Sequence, residues 1–517
     1  MRITASLIAA ALVAAQASAQ ASAQGTPQRL REWVSRHEAQ VVREALDLYS
    51  IPNVASDSVN IRRNAARLLE LLRARGATAR LLESPAGGPP AVFGELRTAG
   101  ATRTIVLYAH YDGQPAITGP WMGDPWRPVL RRFANGVAGD TVPAPRDGER
   151  IDRELRIYAR SASDDKGPIV AMFAALDALR DAGVRPSVNI KFFFEGEEEA
   201  GSAHLGPLLA AHRDVLAADA WIFADGPVHV SGAPQLVLGV RGVFGVTVTT
   251  YGPSRALHSG HYGNWAPNPA VSLAHILTSV RDRDGRILIA GFHDDVAPPT
   301  AAERAAAQRL SATDDSLRHT LRLGATEAGN AASAIRILEP ALNVRGLRAG
   351  AVGASATNSI PVSASASIDF RLVPRQTPER IRAQFERHLS GLGFEVVHSA
   401  NAVSAHTARE RAVLVEWESG YRATRTSLDL PVTRALLALT ERAYGRTPFV
   451  APTLGGSLPL YLFEEHLRVP LVVLPTVNGD NNQHAPDENI RVGNLFDAII
   501  LFGTIFADLG GALTQAQ

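Results

Sequence analysis

The run Phe192-Phe193-Phe194-Glu195-Gly196-Glu197-Glu198-Glu199-Ala200-Gly201-Ser202 discharges four glutamates at the end of an apolar stretch that begins at Val188. Such a stretch reads as a buried strand, and like charges crowded at its end cost stability unless a cation offsets them. A metal ion is the simplest such cation. Similar junctions recur along the chain. Thr104 to Tyr108 leads into Ala109-His110-Tyr111-Asp112, and Arg156 to Tyr158 is followed by Ser163-Asp164-Asp165-Lys166-Gly167. Trp221 to Ala224 precedes Asp225, and Leu471 to Leu474 precedes Gln483-His484-Ala485-Pro486. In open α/β sheets ligands bind beyond the carboxyl ends of the strands, where the loops gather. Singly, Asp164-Asp165 reads as a helix N-cap, and His110 or His484 as an ordinary loop histidine. Arriving together at one sheet edge, these residues describe a site for divalent cations. Asp112 can accept from the His110 ring and fix its tautomer. Glu198 and Glu199 cannot serve one metal identically, so one ligates while its neighbour faces a bound water.

The elements that must position these groups fall into two textures. From about Thr26 to Ala77 the apolar spacing is helical, interrupted by a polar loop from Ser50 to Ser58. Strands are expected at Ala79 to Leu82, Ala91 to Leu96, Thr104 to Tyr108, Val188 to Phe194, Trp221 to Ala224 and Leu471 to Leu474. Pro120 to Pro128 reads as a surface loop, and Lys166 to Leu179 as a helix with Pro168 in its first turn and Gly183 past its end. A different pattern lies between the last two strands. Val243 to Tyr251 and Ala364 to Val373 alternate as half-buried antiparallel strands do. Ala270 to Val280 and Thr377 to Leu392 are helical, and Phe394 to Val397 is a further strand. The order β-α-β-β-α-β describes a small α+β, ferredoxin-like insertion. The expected layout is a leader over 1–23, an open α/β catalytic domain over 26–240 and 425–517, and an inserted domain over 241–424.

Composition narrows the function classes. A chain of 517 residues is long enough for two cores. A formal net charge of +1 gives no nucleic-acid footprint. Cysteine is absent from the sequence, which removes thiolate nucleophiles and thiolate zinc ligands and leaves His, Asp and Glu for any metal. Met1-Arg2, the apolar run Ser6 to Ala15, and the small-residue sites Ala17-Ser18-Ala19 and Ala21-Ser22-Ala23 predict a secretory signal and a periplasmic or secreted protein. No later segment is expected to reach transmembrane length.

The segments Tyr108-Ala-His-Tyr-Asp112, Ser163-Asp-Asp-Lys-Gly167, Glu195-Gly-Glu-Glu-Glu-Ala-Gly-Ser202, Leu257-His-Ser-Gly260, Phe370-Arg-Leu-Val-Pro374, Gly455-Gly-Ser457 and Gln483-His-Ala485 occur in one order across the chain. In them the sequence resembles the aminoacylase/carboxypeptidase/carnosinase family of two-zinc metallopeptidases, nearest its carnosinase-like dipeptidase branch. The resemblance implies that Asp164 bridges two Zn²⁺ ions (Mn²⁺ or Co²⁺ being alternatives), with His110 and Asp225 completing one site and Glu199 and His484 the other. Asp112 would orient His110, and Glu198 would be the general base acting on a metal-bridging water. His258, from the inserted lid and dimerisation domain, would reach a neighbouring protomer's site in a homodimer and stabilise the oxyanion. Arg371, Gly455, Gly456 and Ser457, with Asn268, would hold the free carboxylate of a small peptide or acyl-amino-acid substrate. Ser161, Ala256, Leu454 and Gly113 depart from the family's usual residues without removing a ligand. The reading is a dipeptidase or carboxypeptidase; the alternatives are an N-acyl-amino-acid amidohydrolase and a non-catalytic binding protein, the latter disfavoured by retention of Glu198.

Overall fold

Phe192, Phe193 and Phe194 are all fully buried, as consecutive residues of a strand must be when both sheet faces are covered. They belong to the strand Asn189–Glu195 in a computed structural model that describes residues 2–116, 119–134, 136–405, 408–456 and 458–515, with side chains at 2–24, 330, 404, 405 and 515 excluded. The expected leader over 1–23 lies outside the residues whose side chains are described. The chain divides into two compact units, one of Met1–Leu238, Thr426–Val450 and Leu462–Gln517, the other of Gly239–Arg425 and Ala451–Tyr461.

The first unit is built on an eight-stranded sheet ordered Thr78–Leu82, Ala91–Leu96, Asn189–Glu195, Thr104–His110, Ala220–Phe223, Leu471–Val473, Gln235–Val237, Phe449–Ala451. The four strands Asn189–Glu195, Thr104–His110, Ala220–Phe223 and Leu471–Val473 pair in parallel, so their carboxyl ends share one edge. A smaller sheet runs Asn489–Arg491, Arg156–Tyr158, Val129–Ala134, Val137–Val142. Its hairpin strands Val129–Ala134 and Val137–Val142 follow the loop expected over Pro120 to Pro128. The helix Lys166–Asp181 is buried continuously from Lys166 to Leu179.

One expectation is corrected by the final helix, Val492–Gln515. Its stretch Val492–Thr514 is long and apolar enough to cross a membrane. In the fold 72% of that window is buried, against Lys166–Asp181 and Pro431–Tyr444. A long helix that is apolar over most of its surface suits such a core position.

The second unit carries a five-stranded sheet ordered Ala341–Ala349, Ser363–Leu372, Gly242–Tyr251, Ala412–Trp417, Glu395–Val397. Its backbone is the ten-residue antiparallel pairing of Gly242–Tyr251 with Ser363–Leu372. The helices Pro269–Val280 and Pro378–Gly391 supply Leu273, Ile276, Ile381 and Phe385 to a core shared with Phe244, Val246, Ile368 and Phe370. The β-α-β-β-α-β order is present, with the extra strand Ala412–Trp417 placed between Glu395–Val397 and Gly242–Tyr251.

Candidate metal centre

Each parallel strand of the first unit delivers a ligand-type side chain at its carboxyl end. Thr104–His110 ends on His110 itself. Asn189–Glu195 runs into a short turn, Glu198–Ala200, that carries Glu198 and Glu199. Ala220–Phe223 is followed by Asp225, and Leu471–Val473 by the loop that holds His484. Asp164 arrives from the smaller sheet, beyond Arg156–Tyr158.

One ligand atom from each of His110, Asp164 and Asp225 lies within 4.8 Å of the others, and the same holds for Asp164, Glu199 and His484. Asp164 is common to both groups. Its Oδ1 is 2.9 Å from His110 Nε2, and its Oδ2 is 3.0 Å from His484 Nε2. His484 Nε2 is also 3.1 Å from Glu199 Oε2. Each oxygen of one buried carboxylate therefore faces a different donor set, the arrangement that a bridging ligand needs. His110 Nδ1 lies 3.2 Å from Asp112 O and 3.4 Å from Asp112 Oδ1. Both Asp112 oxygens also accept backbone N–H groups, from Glu198 at 3.1 Å and Glu199 at 3.0 Å. Asp165 occupies the N-cap position of the following helix but makes no capping bond with its side chain, so capping does not account for the Asp164-Asp165 pair.

The electrostatics of the protein groups are those of a cation site. Burial pushes the Glu198 carboxyl well above its usual range; His110 opposes this, and Asp225, Glu195 and Asp164 reinforce it. Burial, with Asp164 close by, pushes Asp225 up to about 6. Hydrogen bonds to Asp164 and Glu199 push His484 up to about 10. Burial works against ionisation of Asp164, yet the two imidazoles hold its carboxyl below the usual range. The upward shifts of the histidines, Glu198 and Asp225 all favour retention of their protons. Divalent cations would balance the carboxylate charge directly and displace those protons. The donor set, imidazole and carboxylate without thiolate, suits Zn²⁺, Mn²⁺ or Co²⁺.

Glu195 and Glu197 have other partners. Tyr108 donates to Glu195 Oε2 at 2.7 Å, and Glu197 accepts the backbone N–H of His204 at 3.1 Å while its Oε1 lies 2.8 Å from His204 Nδ1. Two amides escaped the sequence reading of individual roles. Gln483 donates to Asp164 Oδ2 at 2.6 Å, and Gln114 to Glu199 Oε2 at 2.8 Å.

The largest omission is Glu488, which is fully buried. Its Oε1 accepts from Ser163 N, Ser163 Oγ and Asp164 N at 3.1, 2.8 and 2.9 Å. Its Oε2 accepts from Ser161 N at 3.0 Å and from Arg160 at 2.8 Å. Antiparallel pairing of Asn489–Arg491 with Arg156–Tyr158 brings Glu488 under the Asp164 loop. Its only sequence signal was an acidic residue four places beyond His484.

The remaining expected site residues belong to the second unit. His258 is exposed, and its Nδ1 accepts the backbone N–H of Gly260 at 3.0 Å. That bond places the proton of a neutral ring on Nε2, leaving a donor at the free end. Asn268 caps the helix Pro269–Val280 by accepting from Ala270 N at 3.0 Å, a structural task in its own right. Arg371 pairs with Asp369 at 3.0 Å. Gly455 and Gly456 lie in the segment Ala451–Tyr461, and a Cβ at Gly456 would meet nothing within 4 Å. Ser457 lies outside the described residues.

The sequence matches peptidase family M20/M25/M40 over residues 106–508. It is similar to the Cys-Gly metallodipeptidase dug1 of Schizosaccharomyces pombe, with 27% identity over 434 residues that cover 81% of this chain and 83% of that protein. It is likewise similar to the Beta-Ala-His dipeptidase of Homo sapiens, with 26% identity over 495 residues, 93% of this chain and 89% of that protein. Among solved structures, the M20 family metallo-carboxypeptidase Sso-CP2 from Sulfolobus solfataricus matches with a TM-score of 0.69 and 28% identity, covering 90% of this chain and 98% of that one.

Proposed function

The chain belongs to peptidase family M20/M25/M40 and is a metallopeptidase, and on that premise we propose that it is an exported dipeptidase or carboxypeptidase acting on small peptides with a free carboxylate. The observation that carries the reading is Asp164, whose two oxygens face two separate His-and-carboxylate groups. The names of the relatives above support peptides as substrates. The positive start, apolar run and small-residue cleavage sites at the N-terminus support export; N-terminal sequencing of protein recovered outside the cell tests it, and an intact leader there would oppose it.

In this reading His110, Asp164 and Asp225 hold one divalent ion, and Asp164, Glu199 and His484 the other, most simply Zn²⁺. When bound, the pair polarises the scissile carbonyl and lowers the pKa of water toward neutrality. Asp112 orients the His110 ring. Glu198 accepts a proton from the attacking water and returns it to the departing amine. Arg371 and the Gly455-Gly456-Ser457 turn receive the substrate carboxylate, a task suited to the planar guanidinium fork.

His258 donates from Nε2 to the developing oxyanion of a partner subunit in a homodimer. His258→Ala is expected to lower turnover at unchanged metal content. Mixing that variant with Glu198→Gln chains should restore part of the activity; no recovery in a confirmed mixed dimer would exclude action between subunits.

The central experiment compares free dipeptides, C-terminally amidated dipeptides and N-acyl amino acids with the zinc-reconstituted protein. The expected result is about two bound divalent ions per chain, hydrolysis of free dipeptides, and loss of activity on the amidated ones. Preferred turnover of N-acyl amino acids would reassign the substrate, and a folded chain that takes up no divalent ion would overturn the metal reading.

A further inference from the structure

Gly113 and Ser161 are neighbours in the fold. Gly113 follows Asp112 in the loop that carries His110. Ser161 lies three residues before Asp164. Ser161 adopts a φ of 61°, the left-handed region that favours glycine and costs other residues free energy. Its hydroxyl fills the room above Gly113. A Cβ added at Gly113 would overlap Ser161 Oγ and would stand 3.2 Å from both amide atoms of Asn53. The two positions divide one small volume between them.

Asn53 closes the arrangement. It is fully buried, as is Ser161. Its Nδ2 donates to Ser161 Oγ at 2.9 Å and to the carbonyl of Tyr111 at 2.7 Å. Its backbone carbonyl accepts the N–H of Gly113 at 2.9 Å. One asparagine therefore grips the His110 loop at two backbone points and the Asp164 loop at a side chain. The buried Lys166 ties down the start of the same loop and the helix end before it, its Nζ donating to Leu48 O at 3.0 Å and Ile51 O at 2.9 Å. On the opposite side of the Asp164 loop, Ser161 N is held by Glu488.

We propose that Asn53, Gly113 and Ser161 form a buried latch that sets the spacing between the His110 and Asp164 loops, with Gly113 and Ser161 matched in size. They are positioning residues: they act on the cation site through the backbone of its ligands, and in this the proposal rests on the metal reading above. Serine at 161 accepts an unfavourable backbone conformation because its hydroxyl satisfies Asn53, and it can do so only while position 113 has no side chain. The size match makes the two positions interdependent, which independent substitutions would not be.

The test is a double-mutant cycle on the full chain with Gly113→Ala, Ser161→Gly and the pair, reading Zn²⁺ affinity by chelator competition and thermal stability of the metal-free protein. Gly113→Ala alone should lower stability and weaken Zn²⁺ binding about 10-fold or more, the usual cost of disturbing groups behind a metal ligand. Adding Ser161→Gly, which removes the overlap and the backbone cost at φ 61°, should recover most of the stability and part of the Zn²⁺ affinity, the hydroxyl's bond to Asn53 being lost. Ser161→Ala, which introduces no clash, should also weaken Zn²⁺ binding, and it serves if Gly113→Ala does not fold. Additive effects would overturn the size match. Altered stability with wild-type Zn²⁺ affinity would overturn the positioning role. If the wild-type chain binds no Zn²⁺, the metal reading fails, while the stability cycle still decides the size match.

Discussion

Glu198→Gln is expected to lower kcat by about 10²- to 10⁴-fold, the range a general base supplies, with bound metal unchanged. The geometry separates the two effects. Glu198 is placed by its backbone, because Asp112 accepts the N–H of Glu198 and of Glu199 at 3.1 and 3.0 Å. Glutamine at 198 therefore keeps the turn and the shape of the side chain but cannot take a proton from water. Glu199 differs in that its own carboxylate reaches His484 at 3.1 Å. The matching change Glu199→Gln should cost metal as well as activity. Stopped assays at saturating dipeptide, with metal content measured on the same preparations, distinguish the two. Wild-type turnover in Glu198→Gln would remove Glu198 from the mechanism.

The candidate cation site was legible in the sequence because its imidazole and carboxylate groups sit where apolar strands stop. Strand runs such as Thr104–His110 and Asn189–Glu195 announce themselves by buried, continuous hydrophobicity, and the chemistry follows at their carboxyl ends. What was not legible has no periodic signature. The strand Ala341–Ala349 is exposed along much of its length, so its residues carry no inside-outside alternation to read. The final helix is long and apolar enough to cross a membrane by composition alone, and only its packing places it in the core. Glu488 works by accepting backbone N–H groups, which every sequence offers at every residue except proline. The volume shared by Gly113 and Ser161 exists only after two loops distant in sequence meet.

Glu488→Gln should therefore damage the metal centre more than any other change outside the ligands and the base. The Glu488 carboxylate and the Arg160 side chain are each about 1% exposed, and five donors converge on the two carboxylate oxygens. Burial, aided by Asp164, pushes the Glu488 carboxyl above its usual range although Arg160 opposes the shift. The five donors favour its ionised form against the cost of burial, which fits a residue kept for positioning rather than for net stability. Glutamine replaces one oxygen with a donor. If that nitrogen faces Ser163 and Asp164, it opposes the N–H of Asp164 itself; if it faces Arg160 and Ser161, it opposes the buried guanidinium. Either way the expected loss is about 3–5 kcal/mol, as for breaking a buried ion pair from one side. Divalent-ion affinity should fall about 10- to 100-fold, and Glu488→Asp, which keeps the charge on a shorter arm, should recover part of both. Denaturant melts of the metal-free chain and chelator competition on its folded form read the two quantities separately. Unchanged metal affinity in a destabilised Glu488→Gln protein would reduce Glu488 to a core residue, because a group that merely holds the fold together has no reason to set how tightly Asp164 binds a cation.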